Sequence, residues 1–421
     1  MRCARHCERR PRRYNRPTMS ASIDQQITAL HRRCERIISE DELRKKLARS
    51  AAAGKPLRVK LGMDPTAPDV TLGHCVPLKV VRHFQEMGHK AVLIIGDYTA
   101  RVGDPTGRNQ TRKVLSGEEI DANARTYVAQ VGKILMTGPD YLEVRYNGEW
   151  LGKMGLVDVI KLAARKSVAQ VLTRDDFAKR YAEGVDIRLH EILYPLLQGW
   201  DSVAIDADVE MGGSDQLFNN LVGREFQKDE GGEGQCVIVT PLLVGTDGVK
   251  KMSKSLGNYV GVTDPPGGPG GMFGKIMSLP DGLLGSYFTL LTDLPPDAFE
   301  GLIAEKPRDA KVKLAKTLIT WLHDATAADG AEADFFAATH GGVPSDLPTM
   351  QVAAGGHGIV GLLVAAGFVS SNSEATRKIR EGAVKLDGEK CADPKQQLEI
   401  SSPRVLQLGN KRFVRLKPAG A

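Results

Sequence analysis

Between Leu57 and Val262 the chain alternates short apolar runs with longer segments of helical periodicity. Short apolar runs between turn residues predict buried strands, and apolar residues recurring every three to four positions predict helices. The predicted strands are Leu57–Leu61, Ala91–Ile95, Val203–Asp206 and Val237–Val239. The predicted helices are Leu72–Met87, Gly117–Met136 and Leu217–Gln227. This alternation predicts an α/β fold with a parallel sheet and ligands at the carboxyl ends of its strands.

The flanking segments have other patterns. Residues 23–53 carry apolar side chains at helical spacing and predict packing helices, with Asp41 as a candidate cap of the second helix. The apolar positions are Ile27, Leu30, Cys34, Ile37, Ile38, Leu43 and Leu47. Residues 272–339 also have a helical pattern. Residues 358–416 predict a small α/β unit, with a capping box near Ser373, a strand and turn over 382–390 and an edge strand over 411–415.

Two breaks rich in glycine and proline, at 264–271 and 341–344, separate these regions. The predicted domains are therefore residues 1–54, 55–262, 263–346 and 357–421.

Composition limits the class of protein. The 421 residues have a net charge of +6, which is compatible with a polyanionic partner. No apolar run approaches the ~18 residues of a membrane span, so we expect a soluble protein with no membrane partner. The six cysteines form no C-x-x-C pair, which favours reduced thiols in a cytoplasm.

The first eighteen residues are rich in arginine and proline and lack the apolar core of a secretory signal. Disorder or an over-extended start, with Met19 as the initiator, is the favoured interpretation, and a transit peptide or RNA-binding arm stays open. Cys3, His6 and Cys7 lie close together, but we expect no protein-bound metal.

The candidate chemistry begins with Lys251-Met252-Ser253-Lys254-Ser255. Two lysines three residues apart, between the glycines at 248 and 257, suit a mobile loop that closes on a polyphosphate, although a solvated lysine run has the same composition. Upstream, the predicted strand at 57–61 leads to a helix that opens with Leu72-Gly73-His74. A helix N-terminus after a strand favours phosphate binding by backbone N–H groups.

Together these two motifs resemble the hallmark motifs of class I aminoacyl-tRNA synthetases. Further segments resemble bacterial tyrosyl-tRNA synthetases in particular, and the resemblance extends from about Ser20 to the C-terminal region. Those segments are Asp64–Asp69, Gly103–Arg108, Tyr194–Asp201 and Gly212–Gln216. The last unit resembles the RNA-binding module named after ribosomal protein S-four.

The resemblance implies a Rossmann-like catalytic domain with a dimerisation insertion, an α-helical anticodon-binding domain and a C-terminal RNA-binding domain. It implies a homodimer, with the interface over about 115–169. Its reaction would be a tyrosine–tRNA ligation: L-tyrosine and ATP, with Mg²⁺, give tyrosyl-adenylate and pyrophosphate, and the tyrosyl group then passes to tRNA(Tyr).

Residue by residue, the resemblance implies four sets. Catalysis falls to Thr66, His74, Lys251 and Lys254. ATP binding adds Asp64, Gly73, Gly213, Asp215, Gln216 and Ser255. Tyrosine binding falls to Asp104, Tyr194, Gln198 and Asp201, with Asp201 meeting the phenol. Binding to tRNA falls to Arg377, Lys378, Arg380, Lys385, Lys411 and Arg412.

Two positions depart from the family pattern. Thr71 stands where members usually have a histidine, and Lys60 stands where many have a second tyrosine near the phenol. Lys60 either pairs with Asp201 or faces elsewhere, and Asp97, Tyr98 and Thr99 are further candidates at the same end of the sheet. The alternatives are a tryptophanyl-tRNA synthetase, which the spacing Tyr194, Gln198, Asp201 disfavours, and an inactive RNA-binding paralogue, which the intact lysines and His74 disfavour.

Overall fold

A computed structural model describes residues 22–105, 116–339, 347–353, 355–409 and 412–418. The predictions for residues 1–18, for the break at 341–344, for Arg108 and for Lys411 lie outside these residues. The chain divides into two compact units. The first comprises Met1–Gly245, Val249–Val262 and Thr289–Leu291, and the second comprises the remaining segments, chiefly Thr292–Ala421.

The first unit is built on a six-stranded sheet. Its strands are β1 (Arg36–Ile38), β2 (Arg58–Met63), β3 (Lys90–Ile95), β4 (Leu142–Tyr146), β5 (Val209–Gly213) and β6 (Cys236–Thr240). They lie in the order β1-β6-β5-β2-β3-β4, and all neighbours except β1 and β6 are parallel. The predicted parallel sheet is thus confirmed for five strands, with an antiparallel strand added at one edge.

The helices of this unit pack around the sheet. They are α1 (Ile23–His31), α2 (Glu40–Ala53), α3 (Leu72–Glu86), α4 (Thr99–Val102), α5 (Gly117–Val131), α6 (Gly148–Leu151), α7 (Leu156–Ala163), α8 (Val168–Val171), α9 (Asp175–Ala182), α10 (Leu189–Ala204) and α11 (Leu217–Asp229). The three predicted helices of the sheet region are confirmed as α3, α5 and α11. The N-cap of α2 is Ser39, whose side chain accepts from Glu42 N–H at 3.2 Å, and Asp41 lies in the first turn instead.

In the first unit, two segments adopt a different type of secondary structure from the one predicted. Ile37 and Ile38, expected in a helix, lie in β1 and pair with Ile238 and Val237, because the edge of β6 supplies backbone partners. Val203–Asp206, expected as a strand, is the last turn and end of α10, because the helical spacing of the buried Leu196 and Leu197 continues through Val203.

The second unit begins with helices, as the pattern of residues 272–339 predicts. These are α12 (Met272–Met277), α13 (Leu284–Leu291), α14 (Glu300–Glu305), α15 (Pro307–Leu322) and α16 (Ala325–Thr339). α13 extends into the short segment Thr289–Leu291 that is grouped with the first unit. Leu314, Leu318 and Leu322 form the buried stripe of α15.

A small α/β structure follows. Its helices are α17 (Ile359–Ala365) and α18 (Asn372–Arg380), and its strands are β7 (Thr349–Val352), β8 (Gly356–Gly358), β9 (Val384–Leu386), β10 (Glu389–Lys390), β11 (Gln397–Glu399), β12 (Arg404–Leu408) and β13 (Arg412–Pro418). The main sheet has the order β10-β9-β12-β13-β7, so β13 is an interior strand and not the predicted edge. Ser371, and not Ser373, is the N-cap of α18. β7 belongs to this sheet although it precedes residue 357.

Among the described residues, no helix combines the length and the apolar character needed to cross a membrane.

Candidate active site

A cavity of about 760 Å³ opens at the carboxyl ends of the parallel strands. Asp64 follows β2, Gly96 follows β3 and Asn147 follows β4, and all three line the cavity. β2 is the point at which the strand order reverses, since its neighbours are β3 and β5. Such a switch point is where open α/β sheets bind ligands.

The fourteen residues predicted to contact tyrosine or ATP all line this cavity. They are Asp64, Thr66, Gly73, His74, Asp104, Tyr194, Gln198, Asp201, Gly213, Asp215, Gln216, Lys251, Lys254 and Ser255. The sequence places these residues in six separate segments, so their convergence is a result of the fold.

The lysine loop lies at one end of the cavity. Lys251 Nζ is 2.8 Å from Asp215 Oδ2, and Lys254 Nζ donates to the carbonyl of Asp69 at 2.7 Å and contacts the hydroxyl of Tyr127 at 2.7 Å. The segment after the loop is bonded to the start of α3, through Leu72 N–H to Val260 O at 2.9 Å. The loop and the helix N-terminus therefore face the same space.

His74 is oriented by Thr71. The backbone N–H of Thr71 donates to His74 Nδ1 at 3.2 Å, and its hydroxyl oxygen lies 2.8 Å from the same nitrogen. Because a backbone N–H can only donate, Nδ1 is an acceptor, and the neutral ring carries its proton on Nε2. Burial and the nearby charge of Lys254 lower the pKa of His74 to about 3. The imidazole is therefore a neutral N–H donor over the physiological range.

Glycine is required where the backbone approaches site residues closely. A Cβ on Gly96 would overlap the carboxylate of Asp64 and the hydroxyl of Thr99. A Cβ on Gly213 would lie 2.8 Å from Asp215 Oδ1 and 2.8 Å from Leu242 Cδ2. These contacts explain glycine at both strand ends without any need for unusual backbone angles.

Asp64 joins two sides of the cavity. Thr99 Oγ1–H donates to its Oδ1 at 2.8 Å, and Tyr194 Oη–H donates to its Oδ2 at 2.9 Å. Burial and the carboxylates of Asp64, Asp104 and Asp201 raise the pKa of Tyr194 well above its usual value. The phenol therefore stays protonated and keeps donating to Asp64.

Asp201 lies on α10 and lines the cavity, and only 3% of its surface is exposed. Trp150 Nε1–H donates to its Oδ1 at 2.8 Å, and the Asn147 amide donates to its Oδ2 at 3.3 Å. Burial, opposed by Lys60, raises the pKa of Asp201 to about 7. Lys60 does not pair directly with Asp201, because its ammonium lies 2.8 Å from Glu210 Oε1.

A ring of hydrogen-bonded side chains forms one polar wall of the cavity. Gln216 Nε2–H donates to Asp104 Oδ2 at 3.0 Å, and Asn219 Nδ2–H donates to Gln216 Oε1 at 3.1 Å and to Gln198 Oε1 at 2.9 Å. Arg174 closes the ring through Asn219 at 3.1 Å and Asp104 at 3.5 Å. Asp104 and Gln198 are thus fixed before a ligand arrives.

The sequence reasoning missed the supporting residues Asn147, Trp150, Tyr127, Arg174 and Asn219. Asn147 and Trp150 follow β4, whose alternating segment Tyr141–Tyr146 was not assigned as a strand. Recognising it would have placed both residues at the ligand end of the sheet. Of the three further candidates, Thr99 lines the cavity. Asp97 instead accepts from Gly148 N–H at 2.8 Å, and Tyr98 packs against an apolar cluster that includes Leu197.

The predicted tRNA-binding residues within the described part of the chain lie in the C-terminal α/β structure. Arg377, Lys378 and Arg380 occupy the last turn of α18, Lys385 lies in β9 and Arg412 begins β13. Arg377, Arg380 and Arg412 are exposed, while Arg412 also donates to the carbonyl of Phe368. Within the described ranges there is no group of three or more His, Cys, Asp or Glu side chains that could hold a metal ion.

Comparison with known proteins gives two family matches. Residues 52–339 match the model of tRNA synthetases class I (W and Y), and residues 340–407 match a tyrosine–tRNA ligase SYY-like C-terminal domain. The chain is 48% identical over 403 residues to a tyrosine–tRNA ligase of Deinococcus radiodurans, covering 94% of this chain and 96% of the relative. It is 49% identical over 408 residues to one from Idiomarina loihiensis, covering 94% and 99%.

Solved structures share the fold. A tyrosyl-tRNA synthetase of Archaeoglobus fulgidus complexed with L-tyrosine has a TM-score of 0.59 at 24% identity, covering 73% of this chain and 99% of that one. A C-terminally truncated mitochondrial tyrosyl-tRNA synthetase of Coccidioides posadasii has a TM-score of 0.59 at 24% identity, covering 73% and 91%.

Proposed function

The chain belongs to the class I tRNA synthetases for tryptophan and tyrosine, among the tyrosine–tRNA ligases, and from this premise we propose a two-step reaction. The carboxylate of L-tyrosine attacks the α-phosphorus of ATP, forming tyrosyl-adenylate and releasing pyrophosphate. A hydroxyl of the terminal ribose of tRNA(Tyr) then attacks the tyrosyl carbonyl, and AMP leaves. Mg²⁺ enters with ATP as part of the substrate. The product serves translation, so the cytoplasm is the expected compartment.

One observation carries this proposal: a single cavity joins a wall of oxygen acceptors to a set of cationic and N–H donors. Acceptors suit the ammonium and phenolic O–H of tyrosine, and lysines suit pyrophosphate. No covalent enzyme intermediate is required, so catalysis rests on positioning and on charge stabilisation in the transition state.

At the tyrosine end, we assign the α-amino group to Asp104, Tyr194 and Gln198. The fixed ring around Asp104 and Gln198 supports this assignment, because preorganised acceptors lose little entropy on binding. Asp201 accepts the phenolic O–H. Its two existing donors, Trp150 and Asn147, orient the carboxylate and leave it facing the cavity.

At the ATP end, we assign the ribose to Gly213 and Asp215, with Gln216 beside the adenylate. Gly73 and Thr66 lie at the turn into α3, where backbone N–H groups favour phosphate. His74 Nε2–H, Lys251, Lys254 and Ser255 bind the phosphates. In the free protein Lys251 and Lys254 bond to Asp215 and to the carbonyl of Asp69, so they exchange these partners for phosphate oxygens.

Tyrosine-dependent exchange of pyrophosphate into ATP tests the first step. Tyrosine should support exchange, whereas tryptophan and phenylalanine should give little signal at equal concentration. Charging of tRNA(Tyr) tests the second step. Exchange that depends on tryptophan, or that needs no amino acid, would overturn the proposal.

We also propose that the C-terminal α/β structure binds tRNA and that the helices α12–α16 contribute to anticodon binding. The exposed arginines of α18 support contacts with RNA phosphates. The match of residues 340–407 to the C-terminal domain of the ligases supports the same assignment.

Finally, we propose a two-fold dimer whose interface includes α7. Leu156, Val157 and Ile160 share one face of α7 and are 77%, 63% and 59% exposed. Large apolar side chains clustered on a surface mark interaction sites, and an isologous interface buries them against the same face of a second copy.

A further inference from the structure

A fully buried ion pair lies directly beneath the tyrosine end of the cavity. Lys60 on β2 and Glu210 on β5 are opposite each other in the register of the two strands. Their side chains are 0% and 1% exposed, and Nζ lies 2.8 Å from Oε1. Neither residue lines the cavity. The pair is therefore behind the binding wall and does not touch substrate.

The pair is bonded to the helix that carries the wall. Lys60 Nζ donates to the carbonyl of Gln198 at 3.2 Å and to Ser202 Oγ at 2.7 Å, and Ser202 Oγ–H donates to Glu210 Oε2 at 3.0 Å. Gln198 and Ser202 flank Asp201 on α10. The ammonium thus holds the turn of α10 from which both a proposed amine ligand and the proposed phenol ligand project.

Stability alone does not account for this arrangement. Two charges removed from water cost about as much as their attraction returns, and an apolar pair of similar volume is often equally stable. A charged pair at this position has a second effect, because its field acts on Asp201 through a low-dielectric interior.

We propose that Lys60 and Glu210 are positioning residues of the tyrosine site, which fix the turn of α10 that carries Gln198 and Asp201 and keep the Asp201 carboxylate ionised for the phenol. This inference rests on the proposed function only in the assignment of the phenol to Asp201. It explains why a lysine fits at position 60 of this chain without contacting substrate.

The charged and polar groups around Asp201 come from β2, β5, α6, the residue after β4, and α10 itself. Lys60 on β2 favours the carboxylate, and Glu210 on β5 disfavours it. Trp150 on α6 and Asn147 after β4 donate to the carboxylate, and the guanidinium of Arg145 lies 5.3 Å from the ring centroid of Trp150. Tyr194 on α10 itself is neutral. Lys60 is the strongest of the electrostatic influences on the pKa of Asp201, and Glu210 opposes it more weakly.

The test uses two variants with opposite expected shifts. Glu210→Gln removes the opposing negative charge and leaves Lys60 facing Asp201, so the acidic limb of kcat/KM for tyrosine should move to lower pH. K60M/E210Q removes both charges without leaving one buried and unpaired. Because the double variant loses the Lys60 charge, which outweighs that of Glu210, the acidic limb of kcat/KM for tyrosine should move to higher pH. Each shift should be on the order of one pH unit.

Further readouts separate positioning from general damage. KM for tyrosine should rise in K60M/E210Q near pH 6, whereas KM for ATP should stay within about twofold because Lys251, Lys254 and His74 are untouched. Glu143→Gln is the matched control. Glu143 pairs at 2.9 Å with Arg58, which lies on β2 as Lys60 does, and Glu143 does not line the cavity. It should keep the wild-type pH profile.

Shifts in the same direction for both variants, or profiles that coincide with wild type, would overturn the inference. If K60M/E210Q does not fold, K60Q/E210Q, which keeps polar side chains at both positions and also leaves no unpaired charge, takes its place with the same expected shift. Wild-type exchange without dependence on tyrosine would instead remove the proposed function, so the two failures are distinguishable.

Discussion

At the scale of single residues, charge and proton placement decide what the site can do. Thr71, which the resemblance predicts to replace a histidine, fixes Nδ1 of His74 as an acceptor. In the proposed function, Thr71 thus determines which nitrogen of His74 can donate to phosphate. His74 is kept neutral by burial and by Lys254, so its Nε2–H donation should not vary with pH between about 5 and 9.

Lys254→Ala should lower the rate of tyrosine activation by about 10²–10³-fold, the typical cost of one preorganised donor to developing charge. Tyrosine affinity should hardly change, because the proposed function assigns Lys254 to the phosphates and not to tyrosine. Single-turnover formation of tyrosyl-adenylate measures the rate, and equilibrium dialysis measures the affinity. Lys250→Ala, an exposed lysine of the same loop outside the cavity lining, is the control and should activate tyrosine at the wild-type rate. Weakened tyrosine binding with an unchanged rate would contradict the role of Lys254.

Asp201→Asn tests how the phenolic hydroxyl is recognised. The amide keeps the shape of the carboxylate but loses its charge, so the preference for tyrosine over phenylalanine should fall by at least about tenfold. Tyrosyl-tRNA synthetase is itself the reference case for the rule that a site bonding a hydroxyl rejects the analogue lacking it.

In the unmodified protein kcat/KM for tyrosine should decrease as the pH falls through about 7, since protonation of Asp201 removes the acceptor charge. The Asp201→Asn variant should lose this decrease of kcat/KM at acidic pH. If the decrease remained, it would arise from the titration of another group.

At the scale of elements, the sequence predicted what hydrophobic periodicity controls. The strands β2, β3 and β6 and the helices α3, α5 and α11 follow clear apolar patterns, and the site motifs at their ends were found with them. β1 and the end of α10 were mispredicted for a tertiary reason. Ile37 and Ile38 have helical spacing, but the unpaired edge of β6 offers hydrogen bonds that a helix here would leave unused.

The supporting residues of the site were harder to predict for a different reason. Asn147, Trp150 and Arg174 contact other side chains of the cavity wall, and these partners lie 45 to 70 positions away in the sequence. Spacing within one segment carries no information about such contacts. Lys60 shows the same limit, because its choice between Asp201 and Glu210 depends on the register of β2 and β5.

Gly96→Ala tests the packing of two elements at the cavity. The added methyl group overlaps Asp64 and Thr99, so the end of β3 must shift away from the turn after β2. We expect kcat/KM for tyrosine to fall by roughly 10²-fold, since displacement of about 1 Å at a site costs that much. Gly285→Ala, where a Cβ meets open space, should leave activity within about twofold. Full activity of Gly96→Ala would mean that the Asp64–Thr99 contact does not position substrate.

At the scale of the whole molecule, adenylate chemistry and RNA binding are assigned to different parts of the chain. The cavity residues belong to the first compact unit, and the basic residues of α18 belong to the second. Among the residues that the structure describes, none of those lining the cavity belongs to the second unit. Substitutions of the basic residues of α18 should therefore weaken tRNA charging and leave tyrosine-dependent adenylate formation unchanged.

R377A/R380A tests this separation in the intact chain. Both arginines are exposed on the last turn of α18, so their removal should leave the fold intact and take away contacts with RNA phosphates. Each lost contact should reduce the slope of log affinity for tRNA against log salt concentration by about 0.7–0.9, because fewer counterions are released. Tyrosine-dependent pyrophosphate exchange should stay at the wild-type rate, while KM for tRNA(Tyr) in charging rises.

The control for that experiment is K45A/K55A, which removes two exposed lysines of the first unit and thus the same amount of charge. If the effect of R377A/R380A came from net charge alone, the control would change tRNA affinity and the salt slope equally. If α18 is the contact, only R377A/R380A lowers the slope. Equal slopes for both variants and for the unmodified protein would mean that tRNA binds elsewhere, and the basic turn of α18 would then be a solvated helix end.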